Sequence, residues 1–477
     1  MHDIVALDAH ALSRAVRQRT VSCVEVMQAY LSHIELVNPQ VNAIVGMQDP
    51  EVSIALARER DDQLSRGEYL GWMHGFPHAV KDLAAAAGLP FTMCSPLFED
   101  RVAAEDDVFV TRLRAAGAIV IGKTNAPEFG LGSQTYNALW GATGNAYAPD
   151  LTAGGSSGGA AAAVALRMVP VADGSDYMGS LRNPAAFNNV FGLRPSAGRV
   201  PEPGFVVSPS VVGPMARTTE DLAALLSVMA GADPGSPLSL ADDPGVFARG
   251  LDGDFRGTRI AWVGDWNGYL ATEPGLMALC ESSFDVFESL GCTVESALPA
   301  FAPERIWKTF LTWRWWSNAA SGHAFYQDPV HRARLKPEAV WEIENGLRLS
   351  GLDVSTAAAE RTALYAAVQD LFGTYDFVLA PSAQVFPFDK SLHWPTEIDG
   401  RSMDTYHRWM ETVACWSLTG LPVLGMPVGF NGQGLPMGVQ LIGRHQADLA
   451  VLQLGHAYEQ AAQWVTRTPP PLLTVGT

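Results

Sequence analysis

Two serine clusters and one lysine are the groups in this chain best suited to acyl chemistry. Ser156 and Ser157 lie in Gly154-Gly155-Ser156-Ser157-Gly158-Gly159, and Ser175 and Ser180 lie in Gly174-Ser175-Asp176-Tyr177-Met178-Gly179-Ser180. A hydroxyl becomes a useful nucleophile only beside a base. Lys81 is a candidate, because it follows Ala79-Val80 in an apolar stretch where burial would lower its pKa and leave part of it neutral. The first glycine loop opens into an alanine run from Ala160, a strong helix former. Backbone N–H groups and the positive end of a helix dipole there would welcome an anion or a developing oxyanion.

Other readings of the same residues compete. Glycine-rich loops are often ordinary turns, and a lysine at a strand end is often a solvated charge. A phosphate-binding P-loop needs Lys-Ser/Thr after its glycines, whereas Ala160 follows Gly159. Gly154 to Gly158 also fits the G-x-S-x-G nucleophile elbow, but that device needs a buried strand before it. Asn145-Ala146-Tyr147-Ala148-Pro149-Asp150 is a poor one, so the elbow stays as the alternative. None of the eleven histidines is tied to a motif, and no His, Cys and carboxylate cluster has metal-ligand spacing.

The elements that must hold these groups alternate. Ser22-Cys23-Val24-Glu25 has capping-box spacing and opens a helix that Asn38-Pro39 should stop. Helices are expected over 52–66, 106–116, 218–231, 274–290, 354–372 and 449–464. Strands are expected over 79–81, 118–122, 168–172, 259–264, 292–295 and 377–381, with two more in 421–443. Such alternation predicts an α/β fold with a central mixed β-sheet covered by helices on both faces. The Asp-, Pro- and Gly-rich stretch 232–257 reads as a surface connection.

Net charge of −18 argues against nucleic acid or an anionic membrane as partner. Five scattered cysteines without C-x-x-C spacing point to reduced thiols in a cytoplasmic protein. The start MHDIVALDAH has no signal-peptide pattern, and no run of about 18 apolar residues is present.

The ordered set Gly154 to Gly159, Gly174, Asp176, Gly179, Ser180, Arg182, Pro184, Ala185, then Gly192-Leu193-Arg194-Pro195 and Gly198-Arg199, resembles the signature of the amidase signature family of serine hydrolases. Gly75-Phe76-Pro77-His78-Ala79-Val80-Lys81-Asp82 matches the family's lysine motif, and the likeness covers almost the whole chain. The resemblance implies one amidase unit over 1–477: a helical part at 1–65, a catalytic core at 70–217, a variable pocket region at 218–400 and a return to the core at 401–477.

The resemblance also implies a Ser-Ser-Lys triad. Ser180 is the expected nucleophile, Ser156 the bridging serine at the position where the family has a cis peptide, and Lys81 the base. Backbone N–H groups at Tyr177, Met178 and Gly179, beside Ser180, are expected to form the oxyanion hole; Ser175, Ser157, Asp176 and Arg182 are expected to support them. No cofactor or metal is expected. Met178 stands where the family has glycine, Ser175 where it usually has threonine, and Tyr177 is bulky, so the acyl pocket should be non-standard.

Trp307, Phe310, Trp313 and Trp316 form an aromatic run that reads either as core or as a wall of the substrate cleft. The loop 382–401, with Phe386, Phe388, His393 and Trp394, is expected to overhang the cleft as a mobile lid. The expected substrates are small hydrophobic or aromatic amides, anilides or carbamates, handled by a monomer or homodimer. Two alternatives are the glutaminase component of a tRNA-dependent amidotransferase and a non-catalytic binding protein of the same fold.

Overall fold

The computed structural model describes residues 2–473. Its first long helix, α1 (Cys23–Val41), starts on the expected Ser22–Glu25 capping box. It runs on past the expected stop, because Pro39 falls where few backbone bonds remain to be lost and Asn42 closes the end in the left-handed conformation. A small sheet follows, in the order β1 (Ile44–Val45), β3 (Ile119–Thr124), β2 (Pro77–Lys81), with β2 and β3 parallel and Lys81 opposite Thr124.

The large sheet has eight strands: β4 (Ala172–Asp176), β5 (Phe191–Arg194), β6 (Val211–Ala216), β7 (Arg259–Trp262), β8 (Thr293–Ser296), β9 (Phe377–Pro381), β10 (Val423–Phe430) and β11 (Pro436–Ile442). Their order is β8-β7-β9-β11-β10-β5-β6-β4. β7 pairs in parallel with β8 and β9, and the remaining neighbours are antiparallel, so the sheet is mixed as expected. Helix α2 (Gly158–Ala165) packs against β4 and β6, and α3 (Arg182–Phe187) lies on β5, β10 and β11. Gly425 of β10 admits α3 so closely that a Cβ would stand 3.0 Å from Arg182 Cα. Helices α4 (Thr219–Met229), α5 (Pro303–Gln327), α6 (Pro337–Gly346), α7 (Gly351–Phe372) and α8 (Asp448–Ala462) complete the main layers, with α5 packed on both α6 and α7.

Two further boundaries depart from expectation. The strand expected at 168–172 begins at Ala172, because α2 ends in a turn with Arg167 at φ 59° and Met168 N–H donating to Ala163. That shift places Gly174, Ser175 and Asp176 inside β4 rather than on a turn. The helix expected over 274–290 is two pieces, 276–281 and 284–289. At the break, the Ser282 and Ser283 hydroxyls donate back to the Leu279 and Cys280 carbonyls, a competition that weakens helix propagation.

The loop 382–401 is not a simple overhang. Residues 382–387 are buried, with Phe386 N–H donating to Glu273 and Phe388 C=O accepting from Thr152 N–H at 2.7 Å. His393 stacks on Tyr136 at 4.5 Å, and Phe388 meets Trp409 edge-on. Among the described residues, no helix is long and apolar enough to cross a membrane.

Close approach at α2 sets a stability test. A Cβ at Gly159 would stand 2.4 Å from Asn125 N and 2.6 Å from Ala43 O, both fixed backbone atoms. Gly159→Ala should therefore cost ~2 kcal/mol or more. Gly351→Ala, at an open helix start with nothing within 4 Å, should stabilise by ~0.5 kcal/mol. Scanning calorimetry of both variants measures the contrast.

Candidate active site

Lys81 ends β2 and projects into the interior, where it is 1% exposed. Its Nζ lies 2.8 Å from Ser156 Oγ, 2.8 Å from Ser157 Oγ and 3.0 Å from Ser175 Oγ. Among the described residues no carboxylate contacts the ammonium directly, so desolvation dominates and brings its pKa down to about 7, against a smaller opposing pull from Asp173. A neutral amine has two N–H donors and one lone pair. Of the three hydroxyls around it, two can therefore accept its N–H hydrogen bonds and one can donate to its lone pair.

Asp173 fixes the lysine from behind. Its Oδ2 accepts the Lys81 backbone N–H at 3.1 Å, and its Oδ1 pairs with His78 Nε2 at 2.9 Å. β2 and β4 belong to different sheets, so this carboxylate is the clasp between the strand bearing Lys81 and the strand bearing Ser175. Neither Asp173 nor His78 stands out in the sequence as a site residue. The usable signal is their place inside recognisable motifs, His78 three residues before Lys81 and Asp173 two before Ser175.

Ser156 and Ser157 precede α2, and the Gly155–Ser156 peptide bond is cis. Ser157 sits at the helix N-cap, but its hydroxyl makes no capping bond there. It is taken instead by Lys81 and by Ser175 C=O at 3.2 Å. The loop at 129–134 closes over Ser156: a Cβ on Gly130 would lie 3.6 Å from Ser156 Oγ, and one on Gly155 would strike Ser133 backbone at 2.9 Å.

Ser180 is 5% exposed, and its C=O accepts Ser157 N–H at 3.2 Å. Its hydroxyl makes no hydrogen bond to a described residue, unlike the locked hydroxyls of Ser156 and Ser157. The turn carrying it is set by Asp176, whose carboxylate accepts the N–H groups of Gly179 at 2.8 Å and Leu181 at 3.1 Å. Gly179 N–H is thereby engaged and drops out of the expected oxyanion set. The N–H groups of Tyr177, Met178 and Ser180 are not taken by that carboxylate.

Burial alone would raise the Asp176 pKa, but Arg182 and Arg194 reverse this and hold it well below the usual carboxylate range. Arg182 grips Asp176 in fork geometry, Nε to Oδ2 and Nη2 to Oδ1, each at 2.9 Å. Its remaining donors reach Gln440 Oε1 and Ser417 Oγ, so the arginine is both charge-paired and hydrogen-bonded. Arg194 Nη1 adds a bond to the Asp176 carbonyl at 2.5 Å.

The aromatic run of α5 is mostly core. Trp307, Phe310 and Trp313 are buried; Trp307 stacks on Phe310 at 5.3 Å, and Trp313 meets Trp316 edge-on at 5.2 Å. α6, α7 and the segment around His407 surround this helix, which is why its apolar arc is so wide. Of the four, Phe310 reaches the site's loop, edge-on to Tyr177 at 6.1 Å. Tyr177 also lies under the Arg314 guanidinium and 3.5 Å from Ser317 Oγ; burial pushes its pKa up to about 12, keeping it a protonated donor.

Residues 25–452 match the family described as Amidase. The chain is 32% identical to the acylamidase of Rhodococcus erythropolis over 476 residues, covering 98% of each protein. It is 34% identical to a glutamyl-tRNA(Gln) amidotransferase subunit of Thermus thermophilus over 479 residues, covering 95% of this chain and 97% of that one. Among solved structures, a bacterial aryl acylamidase of the amidase signature family superposes with a TM-score of 0.88 at 29% identity, covering 96% of both chains. With its fold, its glycine-serine loops and its length all accounted for in this way, the chain belongs to the amidase signature family and is an amide-hydrolysing enzyme.

Proposed function

We propose that Ser180, Ser156 and Lys81 act as a Ser-cisSer-Lys triad that hydrolyses amide-type carbon–nitrogen bonds of hydrophobic or aromatic substrates. The observation that carries this reading is the buried Lys81 Nζ at 2.8 Å from Ser156 Oγ, with a pKa near neutrality. In the first half-reaction Ser180 Oγ attacks the carbonyl carbon and gives its proton to Ser156, which passes its own to the lone pair of Lys81. Collapse of the tetrahedral species breaks the carbon–nitrogen bond, and the proton returns through Ser156 to the leaving nitrogen. Water then attacks the acyl-enzyme by the same relay and releases the acid. N–H groups at Tyr177, Met178 and Ser180 supply the oxyanion hole, at ~3 kcal/mol per donor. Ser157 and Ser175 orient the lysine, while Asp176 and Arg182 hold the nucleophile turn.

Anilides are the first proposed substrate class, with aryl carbamates, cleaved as urethanes, as the second. Likeness to an acylamidase and to an aryl acylamidase supports the first choice. The alternative, a glutaminase working inside an amidotransferase, draws on the comparable likeness to a component of such an enzyme. Five buried thiols outside any disulfide support a reducing, cytoplasmic compartment.

An acyl nitroanilide, a nitrophenyl carbamate and glutamine, offered to the isolated chain, separate these readings. Release of nitroaniline without glutamine turnover supports the anilide reading; turnover of glutamine alone would replace it with the glutaminase. Ser180→Ala and Lys81→Ala should each lower kcat/KM by ~10³-fold or more. Activity surviving Lys81→Ala would remove the lysine relay and reopen a histidine-based elbow.

Two pH effects follow from the lysine. Because its neutral form is the base, kcat/KM should rise with pH through about 7. Asp173→Asn removes the negative charge that favours the ammonium, so this limb should move to lower pH by ~1 unit. The folded pKa lies below the ordinary value of 10.5, so between about 7 and 10.5 the unfolded chain binds more protons and stability rises with pH. Lys81→Met should therefore raise the thermal midpoint more at pH 6 than at pH 9, while abolishing activity.

A further inference from the structure

A cavity of about 210 Å³ lies between residues 93–101, the loop at 129–131, the far end of α5 and α6, and is used by none of the steps above. Met93, Phe98, Phe129, Leu131 and Phe325 give it apolar walls, and Asn318 brings a buried amide nitrogen to it. Two of its walls belong to elements that approach the site. Phe129 and Leu131 flank Gly130, where a Cβ would come within 3.6 Å of Ser156 Oγ. Asn318 follows Ser317, whose hydroxyl faces Tyr177 OH.

Size and chemistry select the occupant. An apolar cavity of ~150 Å³ is enough to hold benzene, so this one has room for a ring and a small substituent. Phe98 stands edge-on to Phe129 at 6.2 Å and to Phe325 at 5.3 Å, leaving ring faces and edges for a further aromatic group to pack against. The charged and amide groups at the cavity are donors. Asn318 Nδ2 is buried with no hydrogen-bond partner among the described residues, and Arg101, over Phe98 at 5.4 Å, places a cation at the rim. No carboxylate lines the space. An unpaired buried donor costs ~1–3 kcal/mol, a penalty that a ligand acceptor would relieve.

We infer that this cavity binds the nitrogen-borne aryl ring of the substrate, with Asn318 Nδ2 donating to an acceptor substituent on that ring such as a nitro or carbonyl oxygen. The inference rests on the anilide reading of the active site and adds to it: Asn318 sets preference among ring substituents, and the cavity rather than the tryptophan run of α5 is the aryl subsite. Ala339, on α6, lines the same space and is 3% exposed. A phenylalanine there would occupy the volume the ring needs.

The test measures binding, so that it stands apart from turnover. In a Ser180→Ala background, calorimetric titration gives dissociation constants for acetanilide and 4-nitroacetanilide. Adding Asn318→Leu should weaken 4-nitroacetanilide by ~3- to 10-fold while moving acetanilide by less than about twofold. Adding Ala339→Phe should weaken both by more than about tenfold. Equal loss of the two ligands in Asn318→Leu, affinities unchanged by Ala339→Phe, or no binding of either ligand to the Ser180→Ala parent would each overturn the inference. Thermal melts identify a variant that fails to fold, in which case the other decides. Failure of the wild type to hydrolyse any anilide, with these affinities as expected, would count against the triad reading instead.

Discussion

Placing an amine where it has no carboxylate to pair with is the constraint on which the rest of the site depends. Holding Lys81 neutral near pH 7 against an ordinary value of 10.5 corresponds to roughly 5 kcal/mol. The fold sustains this by surrounding Nζ with three hydroxyls rather than with charge. Those hydroxyls come from two places, the start of α2 and the body of β4, while the lysine comes from a third, the end of β2 in another sheet. Asp173 joins them without quenching the effect. Its carboxylate is spent on a backbone N–H and on His78, which positions the strand while leaving burial the larger influence on Nζ.

A second buried charge is handled in the opposite way. Asp176 is fully paired, with Arg182 in a fork and Arg194 beside it, and both oxygens also accept backbone N–H groups of the nucleophile turn. Breaking such a pair leaves an uncompensated charge, so the turn has little freedom. Charge is therefore neutralised at the Asp176 turn and left without a paired carboxylate at Lys81, where the proposed relay moves a proton. The two regimes lie within one short stretch of sequence, from Lys81's partner Ser175 to Ser180, and both depend on β4 starting at Ala172.

Much of this was legible because the chemistry is local in sequence. Capping residues, glycine loops and alternating apolar runs fixed the element types, and the motif order pointed to the family. Boundaries were less legible where side chains compete with the backbone, as at Ser282-Ser283, or where a left-handed residue redirects the chain, as at Arg167. The role of Asp173 was hidden for a different reason: its partners lie 92 and 95 residues away in the chain, and no local pattern reports such a contact. The α5 aromatics stayed ambiguous because a wide apolar arc looks the same whether it faces a ligand or several packed neighbours. Composition alone did not show that the phenylalanines of loop 382–401 pack inward, Phe386 in the core and Phe388 against Trp409.

Identity of about one third to both an acylamidase and an amidotransferase component, over nearly the full chain, shows that overall likeness does not separate these two tasks. The polar hub cannot separate them either, since a lysine, three hydroxyls and a braced turn serve any acyl transfer from nitrogen. Discrimination must come from surfaces that meet the substrate away from the scissile bond, where an unpaired donor or a displaced ring changes affinity without touching the relay. In the proposed reading those surfaces come from segments distant from the signature: residues near 93–101, the loop at 129–131, and the far end of α5 with α6. Tyr177 links the two parts, because its backbone belongs to the nucleophile turn while its ring packs on Phe310 and lies under Arg314. A bulky residue at that position therefore packs the turn that carries Ser180 directly against α5.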